Sequence, residues 1–500
     1  MFLSELLNGV RVTKLFEMQY GRTVVSQDIQ IGSVQYDSRK VLRGDMFVAI
    51  RGTAADGHTF IDNVVGRGAA VVVLEDDSVR SDSYFLHANV AKVVVPDSRE
   101  ALARIATNYY GAPAARLRPI GVTGTNGKTT TTYLLRSILE AAGEKAGLLG
   151  TIDYVIGDEV LPASHTTPES LEMQSLLARM LQAGCTTAVM EVSSHALVQH
   201  RVEGIPFRAG VFTNLTQDHL DYHGTMGEYC AAKRKLFAML EPGACAVING
   251  DDPSGAMVAE GTRARIVRYG MHEGMDVRAT DVQVTVRGLR CTIIHRGRRA
   301  PIHSALTGRF NVANILAAFA AGSALGLKDE EIVRGIEQLQ AVRGRFEQIV
   351  SPAGWTAIID YAHTPDALEN CLRTVREILP PQQKVITVFG CGGNRDAGKR
   401  PIMGRIAAAM SDRVIVTSDN PRKEDPGTII KQIVDGVQGP AHVDIEPDRR
   451  KAIILGLEGA RAGDLVLIAG KGHETYQVLG ETRHHFDDRE EVENFIRLQT

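Results

Sequence analysis

Gly121–Thr132 reads GVTGTNGKTTTT, which sets a glycine-bounded turn and a lysine between an apolar strand and a helix. LRPIGVTG (117–124) is a short apolar run suited to a buried strand. YLLRSILEAAG (133–143) has helical spacing and ends at Gly143, a residue type suited to a helix C-terminus. A glycine-rich turn in this position cradles nucleotide phosphates. The backbone N–H groups of Gly124, Thr125, Asn126 and Gly127 face the phosphates at a helix N-terminus, Lys128 reaches the outer ones, Thr129 ligates Mg²⁺ and Thr130 continues the contact. The widest phosphate-loop consensus has glycine where this chain has Val122, so the match is to the variant GTNGKT[TS].

A chain of 500 residues is about three times the usual domain size, which predicts several cores. Hydrophobic residues at 44% and charged residues at 23% are ordinary for a globular protein, and 49 glycines suit many strand–loop–helix junctions. Lys+Arg 56 against Asp+Glu 59 gives a net charge of −3 with no basic stripe, so no nucleic-acid partner is expected. The six cysteines include no CxxC pair, which suits free thiols in a reducing compartment and predicts the cytoplasm. Charges at Glu5, Arg11, Lys14 and Glu17 interrupt the N-terminal apolar residues, so neither a secretory segment nor a membrane association is expected.

The spacing predicts an α/β fold of three domains. Residues 1–97 carry short apolar runs (MFVAI, AAVVVLED, AKVVVPD) and form a smaller α/β domain, and SREALARIATNYYG is a capped helix at the first boundary. Residues 98–345 hold a central, doubly wound, mostly parallel sheet around the phosphate loop. RPIGVTG, TTAVMEVSSH, RAGVFTNLT and ACAVINGDD are apolar runs ending in polar residues, as parallel strands do. VTVRGLRCTIIHRG is an antiparallel excursion, and FNVANILAAFAAGSALG a helix. Residues 346–500 repeat the strand-to-loop pattern at TAIIDYAH, KVITVFGCGG, RVIVTSDN and DLVLIAGKGH, which predicts a Rossmann-like C-terminal domain.

Polar residues at the ends of such strands are candidate ligand contacts. MEVSSHALVQHRV puts Glu191 at a strand end and DHLDYHG puts His219 after another, a carboxylate and an imidazole suited to a metal shell. Taken alone, each reads more readily as an ordinary strand-end polar residue. Lys233 in YCAAKRKLF reads by itself as a solvated lysine, and Asp419–Arg422 (DNPR) as a proline-stiffened turn.

Taken together, DSRKVLRGDMFVAIRG (37–52), GTNGKTTTT (124–132), HTTP (165–168), EVSSHALVQHR (191–201), NLTQDHLDYHG (214–224), GRFNVANILAA (308–318), VRGRFE (342–347), DYAHTPDAL (360–368), GCGGNRD (390–396), DNPR (419–422) and GKGHE (470–474) resemble the ATP-dependent Mur ligases of peptidoglycan synthesis, essentially end to end. Within that family the resemblance is to the ligases that add meso-diaminopimelate to UDP-N-acetylmuramoyl-L-alanyl-D-glutamate. It implies a three-domain ligase with the uridine diphosphate held by the first domain, ATP by the second and the amino acid by the third; a monomer is expected, though the sequence alone leaves the oligomeric state open. Tyr36, Ser38 and the Thr53, Ala54, Ala55 turn then contact the UDP moiety, and His165, Thr166, Thr167, Ser193, Gln199 and Arg201 hold the muramoyl-peptide. His165 stands where relatives commonly carry asparagine, and its ring can still donate one hydrogen bond. The resemblance gives Lys128, Lys233, His219 and Glu191 catalytic roles, and makes Thr129, Glu191, His219 and Lys233 the Mg²⁺ ligands, the lysine as a CO₂-derived carbamate. Asn314, Arg345 and Asp360 join the ATP site. Arg395, Asp419, Asn420, Pro421, Arg422, Gly470 and Glu474 bind diaminopimelate, with Arg422 pairing the carboxylate that lysine lacks. Folylpolyglutamate synthase, a rival of the same superfamily, has no UDP to bind and so no use for the DSR…GDMFVAI block.

Overall fold

Apolar, β-branched runs bounded by Gly, Asp or Asn form strands throughout the protein, and the strands end where their sequences turn polar. The structure, a computed structural model, describes residues 1–16, 29–52 and 55–499. These fall into two compact units. The first takes the described part of Met1–Lys128 with Leu139–Arg268 and Ala320–Leu327, and the second Thr129–Ile138, Tyr269–Phe319 and the chain from Lys328 onward.

In the first unit, Val34–Gln35, Met46–Val48, Val71–Leu74 and Ala91–Val94 pair in parallel, and Lys14–Phe16 closes the edge antiparallel to Ala91–Val94. This is the smaller N-terminal α/β sheet. The helix Ser98–Tyr109 begins at Asp97, whose carboxylate accepts the Arg99 and Glu100 N–H groups and satisfies two otherwise orphaned donors. Its Leu102 and Ile105 pack with Val71, Val73 and Val93.

The central sheet of this unit runs Cys245–Asn249, Ala209–Phe212, Arg118–Thr123, Thr187–Glu191 and Ala146–Leu149, all parallel. Register puts Val122 opposite both Glu191 and Val211, so Thr123, Glu191 and Phe212 end at one edge of the sheet. A side chain at Gly121 would press on Phe207 and Leu236, so glycine there lets the core close over the strand. Asp153–Ile156 and Glu159–Pro162 extend the sheet as an antiparallel hairpin that the sequence reading did not foresee.

In the second unit, Val277–Thr285, Gly288–His295 and Arg298–Ser304 form the expected antiparallel excursion. Six further strands follow in the order Glu347–Val350, Thr356–Asp360, Leu465–Ala469, Val385–Phe389, Arg413–Val416, His442–Ile445. All are parallel except the first. Separate apolar clusters cover the two faces of this Rossmann-like sheet, one around Phe389 and Leu372, the other around Trp355 and Ile453. Asp360, Ala469, Phe389 and Val416 lie in register, so their loops leave the same edge. A small hairpin, Tyr476–Leu479 with Thr482–His485, stands apart from the sheet.

All six cysteines are buried and unpaired. Among the described residues no helix is long and apolar enough to cross a membrane.

Candidate active site

The phosphate loop is shaped by its glycines. Gly124 has φ +154° and Gly127 φ +85°, and a side chain at Gly124 would collide with the Thr213 hydroxyl. The loop is tied to the strand end beside it. Thr125 N–H donates to Asn214 O at 2.9 Å, Asn126 N–H to Asn214 Oδ1 at 2.9 Å, and Thr213 Oγ1 to Asn126 O at 2.6 Å. Lys128 Nζ donates to the carbonyls of Gly124 (2.9 Å) and Thr125 (2.8 Å), which curls it over the loop. Thr129 and Thr130 are buried in the first turn of the helix Lys128–Ala141.

Lys233 is not solvated. It is 1% exposed on the helix Met226–Ala238, with Nζ donating to Gly124 O at 2.8 Å and lying 4.3 Å from the centre of the Tyr229 ring. Burial holds its pKa well below the ordinary lysine range, and the positive Lys128 adds to the effect. Tyr229 shares this helix face, four residues earlier, and its hydroxyl lies 3.2 Å from Thr125 Oγ1.

His219 sits in the left-handed region (φ +54°), with its ring edge-on to His195 at 4.8 Å. Burial lowers its pKa, opposed by Asp218 and helped by Lys128 and Lys233. Burial and the neighbouring histidines push His195 down to about 4. Glu191 is 1% exposed, and its carboxylate accepts the Thr151 N–H (2.8 Å) and hydroxyl (3.0 Å).

From Glu191 a polar network runs through the residues expected to hold the muramoyl-peptide. Thr151 Oγ1 lies 3.1 Å from Thr166 Oγ1, Thr167 Oγ1 donates to Glu191 O at 2.8 Å, and Ser193 N–H donates to Thr167 Oγ1. Arg201 donates to Thr167 O at 2.8 Å and, through Nε and Nη2, to Gln199 Oε1, and it pairs with Glu169. The His165 N–H donates to the Tyr154 hydroxyl, and its ring meets Ser164. In the N-terminal sheet, the Tyr36 hydroxyl donates to Glu172 at 2.9 Å, Ser38 O accepts from Arg67, and Ala55 O accepts from Gly52. Thr53 and Ala54 lie outside the described residues.

The second unit holds the remaining candidates. Asp360 accepts the Phe346 N–H at 2.7 Å, with its carboxyl raised by burial and lowered by Arg345, which lies over the Tyr361 ring. Asn314 is buried and donates to Asn311. At the far strand ends three loops interlock. A side chain at Gly393 would collide with Pro421 O, and one at Gly470 (φ +116°) would come within 2.6 Å of the Asp419 carboxylate. Asn420 Nδ2 donates to Glu474 Oε2 at 2.8 Å, and Arg422 Nη1 to Gly393 O at 2.8 Å. Arg395 lies outside this network: it is exposed, and among the described residues its guanidinium reaches only its neighbour's carbonyl, Asn394 O, at 3.5 Å.

The sequence reading missed Tyr229, His195 and Lys471. The first was available from its i, i+4 spacing to Lys233, and the last from its place in GKGHE. His195 carried no local signal, because its ring partners come from another segment.

The chain matches family models described as "Mur ligase family, catalytic domain" at residues 30–110, "Mur ligase middle domain" at 122–322 and "Mur ligase, glutamate ligase domain" at 344–472. It is 47% identical to a UDP-N-acetylmuramoyl-L-alanyl-D-glutamate–2,6-diaminopimelate ligase from Geobacter metallireducens, over 93% of this chain and 94% of the relative. A protein of the same name from Parabacteroides distasonis is 44% identical over 95% of this chain and 96% of its own length. A solved structure of a ligase of that name superposes with a TM-score of 0.70 at 31% identity, covering 100% of this chain and 99% of the other. The chain belongs to the Mur ligase family.

Proposed function

We infer that this protein is the ATP-dependent ligase that joins meso-diaminopimelate to UDP-N-acetylmuramoyl-L-alanyl-D-glutamate, releasing ADP and phosphate, in cytoplasmic peptidoglycan precursor synthesis. The observation that carries this reading is the interlocking of the GCGGNRD, DNPR and GKGHE loops. It brings Asn420, Glu474 and Arg422 to one strand edge, as recognition of an amino acid with an extra carboxylate requires. Names carried by relatives at 44–47% identity support the same substrate, and six unpaired cysteines suit the cytoplasm. Three separate family matches support the division into 1–97 for the UDP substrate, 98–345 for ATP and 346–500 for the amino acid.

The D-glutamyl γ-carboxylate is a poor acyl donor because its oxygen cannot leave. It attacks the ATP γ-phosphorus to give an acyl phosphate and ADP, and the diaminopimelate amine then attacks the acyl carbon and expels phosphate. Lys128 exchanges its two loop carbonyls for phosphate oxygens and offsets the charge that develops on them. Arg201, fixed by Gln199 and Thr167, orients the muramoyl-peptide.

The family implies Mg²⁺ and a carbamate on Lys233, and the residues fit both. A buried amine pushed toward its neutral form is the species that adds to CO₂. Among the described residues no three His, Cys, Asp or Glu side chains form a metal cage, and the fit to Mg²⁺ rests on the oxygen donors, the Thr129 hydroxyl and the buried Glu191 carboxylate, the ligand type this cation takes. When bound, Mg²⁺ supplies positive charge to the phosphates, and Thr129, Glu191, His219 and carbamylated Lys233 would hold it.

Arg422→Ala tests the substrate assignment. Half-buried Arg422 keeps Nε and Nη2 available for a carboxylate, and losing one partner of such a pair costs about 2–5 kcal/mol, roughly 30-fold or more. In wild type, kcat/KM should strongly favour meso-diaminopimelate over L-lysine, and the variant should lose that preference. A wild type that uses lysine equally well, or a ratio unmoved by the substitution, would overturn the assignment.

A further inference from the structure

Lys471 is wholly buried, at 0% exposure, in the loop after the strand Leu465–Ala469. Its ammonium donates to Asn420 Oδ1 at 3.3 Å and to Glu474 Oε2 at 3.1 Å, and lies 5.6 Å from the centre of the Tyr476 ring. Lysine carries three donors and no acceptor, so any side-chain amide beside it must turn its oxygen toward it. The Val478 N–H donates to the same Asn420 Oδ1 at 2.9 Å, and that also requires an oxygen. Two obligate donors therefore fix which way the Asn420 amide points. Its Nδ2 must face away from Lys471, where one N–H reaches Glu474 Oε2 at 2.8 Å.

The consequence falls on the atoms left over. Asn420 keeps a second N–H and Glu474 a second carboxylate oxygen, and neither makes a hydrogen bond among the described residues. Glu474 remains 15% exposed. A donor beside an anionic acceptor complements one end of an amino acid, whose carboxylate accepts and whose ammonium donates. Were the Asn420 amide flipped, its oxygen would meet the Glu474 carboxylate and no donor would face the ligand carboxylate.

We propose that Lys471 is a positioning residue for amino-acid recognition: it fixes the Asn420 amide and the Glu474 carboxylate so that an N–H and a carboxylate oxygen face the carboxylate and ammonium of the incoming amino acid. This rests on the function inferred above and extends it to a residue that touches no substrate.

Lys471→Met removes the ammonium and keeps most of the chain's volume. It should raise KM for meso-diaminopimelate by ~30-fold or more, while KM for ATP and for the UDP-muramoyl-dipeptide, and kcat at saturation, stay within about twofold. In an Asn420→Ala background the same change should cost clearly less than in wild type, because part of what Lys471 does, fixing the Asn420 amide, is already lost. Asn420→Asp is the second arm. It keeps an acceptor for Lys471 and Val478, but it sets a carboxylate oxygen against Glu474 Oε2 in place of the N–H and removes the donor offered to the ligand, so it should raise KM for diaminopimelate by at least ~10-fold while KM for ATP stays within about twofold. An unchanged KM in Lys471→Met, a loss spread equally over all three substrates, or full additivity with Asn420→Ala would overturn the inference, as would unaltered diaminopimelate use by Asn420→Asp if Lys471→Met fails to fold. A wild type with no diaminopimelate activity would sink the functional reading and this inference together, whereas active wild type with an unmoved Lys471→Met sinks the inference alone.

Discussion

Lys233 shows how little a residue's type decides and how much its surroundings do. On a helix with small neighbours it reads as a solvated cation, but its Nζ is sealed against the Gly124 carbonyl and the Tyr229 ring, next to Lys128. Desolvation penalises the ammonium, and a like charge penalises it further, so the neutral amine is favoured where a carbamate would form. Lys233→Ala should therefore cut amide formation by ~10²-fold or more. The fold should survive, since Gly124 O loses one donor and keeps the other, Lys128 Nζ. Short carboxylic acids should restore part of the rate by returning oxygens to the vacated space. The check is phosphate release at saturating substrates beside a thermal melt, and a fully active, folded alanine variant would remove Lys233 from the chemistry. The resemblance supplied Lys233, Glu191 and His219 by position. Tyr229 lies one helical turn before Lys233 and was open to a reading of that spacing, whereas the His195 ring contacts come from packing between segments.

At the scale of elements, the parallel strands were legible because each is a short apolar run that turns polar where it leaves the sheet, as at VMEVSSH and ITVFGCGG. The two added hairpins were not. Thr482–His485 is exposed at every position and Glu159–Pro162 at nearly every one, so neither presents the apolar face from which a strand is read. The loops between elements carry the recognition, and their closeness depends on glycine. Gly393 lies so near Pro421 O that a Cβ would force the GCGGNRD and DNPR loops apart, displacing the carbonyl that holds Arg422. Gly393→Ala should cost about 1–3 kcal/mol of strain or loop separation. It should raise KM for diaminopimelate roughly tenfold and leave binding of a non-hydrolysable ATP analogue within about twofold. Equal losses for both ligands would show a general unfolding of the sheet edge, and no loss for either would show that the loops need not touch.

For the whole molecule, each sheet could be assigned a ligand from its own motif, but the order of chemical events is not written in any one of them. A phosphate loop serves ATP hydrolysis as readily as acyl activation, and an arginine-bearing turn is silent about which bond forms first. The distinction lies in the fate of one oxygen. If the D-glutamyl carboxylate attacks the γ-phosphorus, the bond from carboxyl oxygen to phosphorus survives when the amine later expels phosphate, so one carboxyl oxygen must leave with the phosphate. With the γ-carboxyl of the UDP-muramoyl-dipeptide labelled in both oxygens with ¹⁸O, each phosphate released during amide formation should carry one ¹⁸O, the amide should keep the other, and ADP should carry none. Mass spectrometry of the phosphate reads this directly. Hydroxylamine supplied in place of diaminopimelate should also capture the activated carboxyl as a hydroxamate, at a rate that falls with Lys128→Ala because the charge on the transferring phosphoryl group is then less well offset. Unlabelled phosphate formed in step with the amide would mean that water, not the carboxylate, attacks ATP, and the two-displacement route would have to be abandoned even if the amide product is the expected one.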